Sequence, residues 1–125
     1  MAKKILVIDD DALVLRTLNR YLKSCGYEVE IAGGCEDAVK KVETSLFSLI
    51  IADVRMPGIN GIETLKMLRK ICEDKHKVKV PEIIITGFAS EDAQKEAKEM
   101  GVAEYIYKPF EVSVFIDAVK RCLGE

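Results

Sequence analysis

No apolar run in this 125-residue chain approaches the ~20 residues that a membrane-spanning helix needs. The opening MAKK leads straight into ILVI, which is too short and too quickly charged for a secretory signal. Histidine occurs once, as His76 in a lysine-rich stretch, and no two of Cys25, Cys35, Cys72 and Cys122 form a C-x-x-C pair. That pattern argues against a zinc site and for reduced cysteines serving as small apolar side chains in a cytosolic protein. Positive charge is not in excess: the formal net charge is −2, so nothing pulls the chain generally toward nucleic acid or an anionic membrane. Internal repeats, low-complexity tracts and linkers are all missing. So is a glycine- or serine-rich phosphate loop after the first apolar run.

What remains is an ordinary composition for a globular protein, 49% apolar and 32% charged, in a length that suits one domain over residues 1–125. Apolar runs at Ile5–Ile8, Tyr27–Ile31, Leu49–Ala52, Ile83–Ile85 and Tyr105–Tyr107 alternate with amphipathic stretches of helix length. This rhythm predicts an α/β domain around a parallel sheet. ILVI, LIIA and IIIT are apolar throughout, as expected of central strands covered on both faces. YEVEI alternates, with Glu28 and Glu30 on one side and Val29 and Ile31 on the other. EYIYK is short and polar-flanked. Those two belong at the edges. With right-handed crossovers the simplest order is 2-1-3-4-5, with five helices, and it has a switch point between strands 1 and 3 where ligands bind.

The helices differ in how firmly they should dock. Helix 3, from Gly61 to Glu73, offers Ile62, Leu65, Leu68 and Cys72 to the core. Helix 5, from Val112 to Leu123, offers Val112, Phe115, Ile116, Val119 and Leu123, leaving Val114 and Ala118 off the stripe. Helix 4, SEDAQKEAKEM, has only Ala93, Ala97 and Met100, so it is expected to be the weakest anchored and the freest to move. Ser90 should cap its start and Gly101 end it. The basic segment Glu73–Pro81 reads as a solvated loop.

The carboxyl ends of the strands carry the chemistry. Strand 1 ends in Asp9 and Asp10, strand 3 in Asp53, strand 4 in Thr86 and strand 5 in Lys108. Parallel strands bring these ends to one edge, so the expected pocket holds three carboxylates, a hydroxyl and an ammonium. Clustered carboxylates become tolerable beside a hard cation, and Mg²⁺ favours a few carboxylates with waters and phosphate oxygens. A lysine and a hydroxyl suit phosphoryl oxygens, and an aspartate can itself accept a phosphoryl group. Asp11 reads as the N-cap of helix 1.

VIDD, DVRMPGINGIE, IIITG and YIYKPF together resemble the receiver domain of the two-component response regulators, over the whole chain. That family is itself a known example of the flavodoxin-like, doubly wound 2-1-3-4-5 sheet, so order and resemblance are not independent. The resemblance implies that Asp53 is the phosphoacceptor and that Asp9, Asp10, Asp53 and the backbone carbonyl of Arg55 hold Mg²⁺. Thr86 and Lys108 would contact the phosphoryl oxygens, Thr86 and Tyr105 would act as the switch pair, and the Lys108–Pro109 peptide would be cis. Arg55 and Phe88 would flank the path of the attacking water. The implied donor is a sensor histidine kinase or phosphotransfer protein. The implied product is a signal passed by the face of helix 4, strand 5 and helix 5 to an output domain, a target protein, or a homodimer that forms on phosphorylation. The chain would catalyse its own phosphorylation and slow dephosphorylation rather than turn over a substrate, in the cytoplasm, without touching nucleic acid or membrane itself.

Two other readings stay open. LVIDDDALV also fits the D-x-D start of a phosphatase resembling the haloacid dehalogenases, with Asp9 as nucleophile and Asp11 as acid; no acidic pair follows Lys108 to complete that site. A flavin- or nucleotide-binding module of the same fold would need a phosphate loop where this chain has aspartates.

Overall fold

The computed structural model describes residues 2–56, 58–88 and 90–125; Pro57 of the DVRMPGINGIE motif and the first residue of the expected domain lie outside them. Five strands, β1 (Lys4–Ile8), β2 (Glu28–Ala32), β3 (Leu49–Ala52), β4 (Glu82–Thr86) and β5 (Glu104–Tyr107), alternate with α1 (Ala12–Ser24), α2 (Cys35–Thr44), α3 (Gly61–Ile71), α4 (Glu91–Glu99) and α5 (Val112–Leu123). The sheet order is β2-β1-β3-β4-β5, parallel throughout, as expected.

Alternate residues of the central strands feed two cores. Leu6, Ile8, Ile50, Ala52 and Ile84 pack with Ile62, Leu65 and Leu68 of α3 and Ala97 of α4. Ile5, Val7, Leu49, Ile51, Ile83 and Ile85 pack with Leu15, Leu18 and Leu22 of α1 and with Phe115, Ala118 and Val119 of α5. Covering both faces is what fixes these apolar runs as central strands. At the β2 edge Val29 packs on the second core while Ile31 stays exposed, and Glu30 pairs with Lys4 at 2.7 Å.

Three expectations need correction. Ala118 is fully buried and Val112 is 41% exposed, because the buried face of α5 centres on Phe115, Ala118 and Val119 while Val112 sits at the helix's first residue. Second, β4 begins one residue earlier than the apolar run, at Glu82, which is buried. Third, Glu73–Pro81 is not simply a solvated loop. Cys72–His76 forms a π-helical turn, the His76 ring bonds the Val42 carbonyl at 2.8 Å, and Val80 is buried.

The caps agree with the sequence. Asp11 accepts the Leu13 N–H at 2.9 Å at the start of α1. Ser90 accepts the Ala93 N–H at 3.2 Å, and Gly101, with φ of 82°, ends α4. The Lys108–Pro109 peptide is cis. No helix among the described residues is long and apolar enough to cross a membrane.

Candidate phosphoryl-transfer site

Ladder bonds that continue past the strands set the site. The Asp9 N–H donates to Ala32 O and the Asp53 N–H to Ile8 O, each at 3.1 Å, and the Lys108 N–H donates to Thr86 O at 2.9 Å. Each chemical side chain is thus carried on backbone that belongs to the sheet, which is the rigid part of the molecule.

Lys108 Nζ lies 3.0 Å from Asp9 Oδ2 and 3.0 Å from Asp53 Oδ2. The two carboxylate oxygens are therefore no more than about 6 Å apart. Their other oxygens are held by backbone: Asp9 Oδ1 accepts the Asp11 N–H at 3.0 Å, and Asp53 Oδ1 accepts the Arg55 N–H at 3.1 Å. Both aspartates are buried. Burial pushes the Asp9 carboxyl above its usual range, and Asp53 adds to this, against the Asp11 N–H and Lys108, which favour the charge. Burial also works against the Lys108 ammonium, but its bonds to Asp53 and Asp9 outweigh that and leave its pKa above the usual value.

Thr86 is fully buried and its Oγ1 accepts the Phe88 N–H at 3.0 Å, which leaves the hydroxyl proton free to donate elsewhere. Asp53, Arg55, Thr86, Gly87, Phe88 and Lys108 line an open cavity of about 290 Å³. Over it the Arg55 guanidinium stacks on the Phe88 ring, 4.5 Å from its centroid. Beyond the cavity, the Tyr105 hydroxyl is buried without a hydrogen-bond partner among the described residues, and its ring meets Tyr107 edge-on at 5.3 Å. Burial, then Tyr107 and Asp53, raise its pKa.

The structure thus brings together Asp9, Asp53, Thr86 and Lys108. Asp10 is different: it is exposed, one residue beyond the buried Asp9. No three Asp, Glu, His or Cys side chains are gathered into a ready metal cage among the described residues. The donor set instead suits a hard cation that keeps several waters and takes one or two carboxylates, with Asp9 and Asp53 converging and Asp10 able to reach in from solvent. Sequence reasoning missed Gly61. Its N–H donates to Val54 O at 2.8 Å, and a side chain there would overlap the Asp53 carbonyl.

A family model for the response regulator receiver domain matches residues 5–120. The chain belongs to this family. It is 36% identical over 124 residues to the alkaline phosphatase synthesis transcriptional regulatory protein PhoP of Bacillus subtilis, covering 97% of this chain and 50% of that protein. It is 32% identical over 123 residues to sporulation initiation phosphotransferase F of the same organism, covering 98% and 95%. A CheY-like receiver domain from Methanospirillum hungatei JF-1 superposes with a TM-score of 0.88 at 30% identity, covering 99% of this chain and 95% of the other. The receiver domain thus spans half of PhoP and nearly all of the phosphotransferase. The protein is a receiver domain of a two-component response regulator.

Proposed function

We propose that residues 1–125 act as one receiver domain that accepts a phosphoryl group on Asp53 from a phosphohistidine, with Mg²⁺ as cofactor. The observation that carries the reading is the Lys108 ammonium held between the Asp9 and Asp53 carboxylates at the mouth of an open cavity. Carboxylates so close need positive charge between them, and the same positive charge suits an incoming phosphoryl group.

A carboxylate oxygen of Asp53 attacks phosphorus in line, and the phosphorus–nitrogen bond to the donor imidazole breaks with its electron pair on nitrogen. The product is an acyl phosphate, which water later cleaves. Asp9, Asp10, Asp53 and the Arg55 carbonyl would hold Mg²⁺, which would supply positive charge to offset the phosphoryl oxygens. Lys108 holds one of those oxygens, and Thr86 donates its free proton to another. Arg55 stacked on Phe88 borders the approach of water to Asp53 and so sets the phosphoryl lifetime.

Phosphorylation adds roughly −1.5 to −2 of charge beside Thr86. The shift of Thr86 toward it moves the Gly87–Phe88 turn, Tyr105 repacks, and α4 follows, changing the face of α4, β5 and α5. Tyr107 and Val114 present apolar surface there, 39% and 49% exposed. An output domain, a target or a second phosphorylated copy reads that face. The donor is a sensor histidine kinase or a phosphotransfer protein. On the other side of Lys108, a groove of about 190 Å³ lined by Leu13, Val14, Thr17, Leu18 and Phe110 offers the donor an apolar seat continuous with the site.

The test is phosphorylation by acetyl phosphate and Mg²⁺. Asp53→Asn is expected to abolish labelling, Asp11→Ala to leave it largely intact, and chelation to stop it. Undiminished labelling of Asp53→Asn would overturn the reading.

A further inference from the structure

The two ends of α4 are held very differently. At the C-terminal end, the Val102 N–H donates to Ala97 O and the Gly101 N–H to Lys98 O, both at 3.1 Å, which is a complete Schellman closure. The carbonyl of Met100 accepts from the Arg69 guanidinium of α3. Arg69 is not a loose surface cation. It forks onto both carboxylate oxygens of Glu82, with Nε to Oε2 at 3.1 Å, and the Glu82 side chain is 3% exposed. The Glu82 carbonyl in turn accepts the Ala103 N–H at 2.9 Å. One ion pair on a buried carboxylate thus ties the end of α4 to the first residue of β4, the central strand whose last residue is Thr86.

The rest of α4 has little to hold it. Ala97 is its one buried residue. Besides the Ser90 hydroxyl capping the Ala93 N–H at 3.2 Å and the partial packing of Ala93 on the core, its side-chain links are Tyr107 Oη to Gln94 Oε1 at 2.8 Å and Lys66 Nζ to Glu96 Oε1 at 3.1 Å, both exposed. Exposed pairs of this kind contribute little. The N-terminal end follows the turn that carries Thr86 and Phe88.

We infer that α4 is hinged, with the Arg69–Glu82 pair and the Met100 carbonyl as its fixed end and its N-terminal half as the arm that swings. The pair is then a positioning device: it makes the motion a rotation about the α4 C-terminus instead of a displacement of the whole helix. The inference deepens the proposed function, since it rests on α4 answering to Asp53.

Amide hydrogen exchange tests it. In the unmodified protein the Met100, Gly101 and Val102 amides are expected to exchange at least about tenfold more slowly than those of Ala93 and Gln94, the weight of one charge-assisted hydrogen bond. Equal rates at both ends would overturn the hinge. In Arg69→Met/Glu82→Leu, where neither charge is left unpaired, the Met100–Val102 amides should speed up to the level of the N-terminal half while Ile83–Ile85 stay protected. Unchanged protection at Met100–Val102 would overturn it. If that variant loses β4 protection, Arg69→Lys, which keeps a charge on Glu82 but lacks the fork to hold the Met100 carbonyl as well, is read by the same two outcomes. After acetyl phosphate and Mg²⁺, exchange should change at Ala93 and Gln94 and not at Met100–Val102. If both ends change equally, the hinge fails. If Asp53 takes no label, the proposed function fails, and the unmodified protein's two rates still decide the hinge.

Discussion

Gly61→Ala should slow phosphorylation sharply in a protein that still folds. An ideal Cβ at Gly61 overlaps the carbonyl oxygen of Asp53 and lies 2.6 Å from its carbonyl carbon and 3.1 Å from Val54 Cα. Carbon atoms in comfortable contact are about 3.5 to 4 Å apart and the Asp53 oxygen is nearer still, so one backbone must retreat by more than about 1 Å. The obstacle is main chain and cannot rotate aside. Two terms compete for stability: alanine gains up to about 1 kcal/mol over glycine in a helix, while forced overpacking costs about 1–3 kcal/mol. The net loss is therefore up to about 3 kcal/mol, since the helix gain is smallest at this first residue of α3. The chemistry suffers too, because the displaced peptide carries Asp53 and leads into the Arg55 N–H that orients its carboxylate. A misplacement of about 1 Å costs on the order of 10²-fold in rate. The assay is the initial rate of labelling by acetyl phosphate and Mg²⁺, run beside urea denaturation. A folded Gly61→Ala protein labelled at the unmodified rate would refute the idea that this close approach positions Asp53.

Leu13, 65% exposed in the groove beside Lys108, should matter only when the donor is a protein. Leu13→Ala is expected to slow transfer from a phosphohistidine protein by roughly 10- to 100-fold, the weight of one buried leucine, and to leave labelling by acetyl phosphate unchanged. Arg69→Met alone should cost about 3–5 kcal/mol in urea denaturation because it strands a buried carboxylate, whereas Arg69→Met/Glu82→Leu should be near neutral or more stable. Burial and the Glu125 carboxylate push the Tyr27 hydroxyl up to about 12 from its usual value of 10.0. Between those values the folded state holds the proton that the unfolded chain has lost, so stability falls as pH rises from 10.0 toward about 12. Tyr27→Phe should make that decline shallower, measured as urea midpoints across the same range.

The sheet was legible because its signal is coarse. Runs such as ILVI and IIIT are apolar on both sides, and only helices on both faces explain that, while YEVEI shows its edge position by alternating. Asp9, Asp53, Thr86 and Lys108 were legible because parallel strands must end together. What escaped depends on contacts that no local pattern records. Glu82 follows a proline and reads as loop, but its partner Arg69 lies on α3, and the pair lets a charge begin a central strand. The π-helical turn at Cys72–His76 hides in a polar run because its anchors, the Val42 carbonyl and the buried Val80, are set by tertiary packing. Ala118 was misplaced because its small side chain looks neutral in a helical stripe; burial beside Phe115 came from the width of the α5 face. Asp9 and Asp10 are neighbours of the same type, yet Asp9 is buried and Asp10 exposed, a difference set by how the chain leaves the sheet and by no local pattern.

The most direct test is to map the phosphorylated residue. After acetyl phosphate and Mg²⁺, reductive trapping of the acyl phosphate followed by peptide mass spectrometry should find the modified aspartate at position 53 alone. A modified Asp9, the nucleophile that a phosphatase resembling the haloacid dehalogenases would use, would contradict the account.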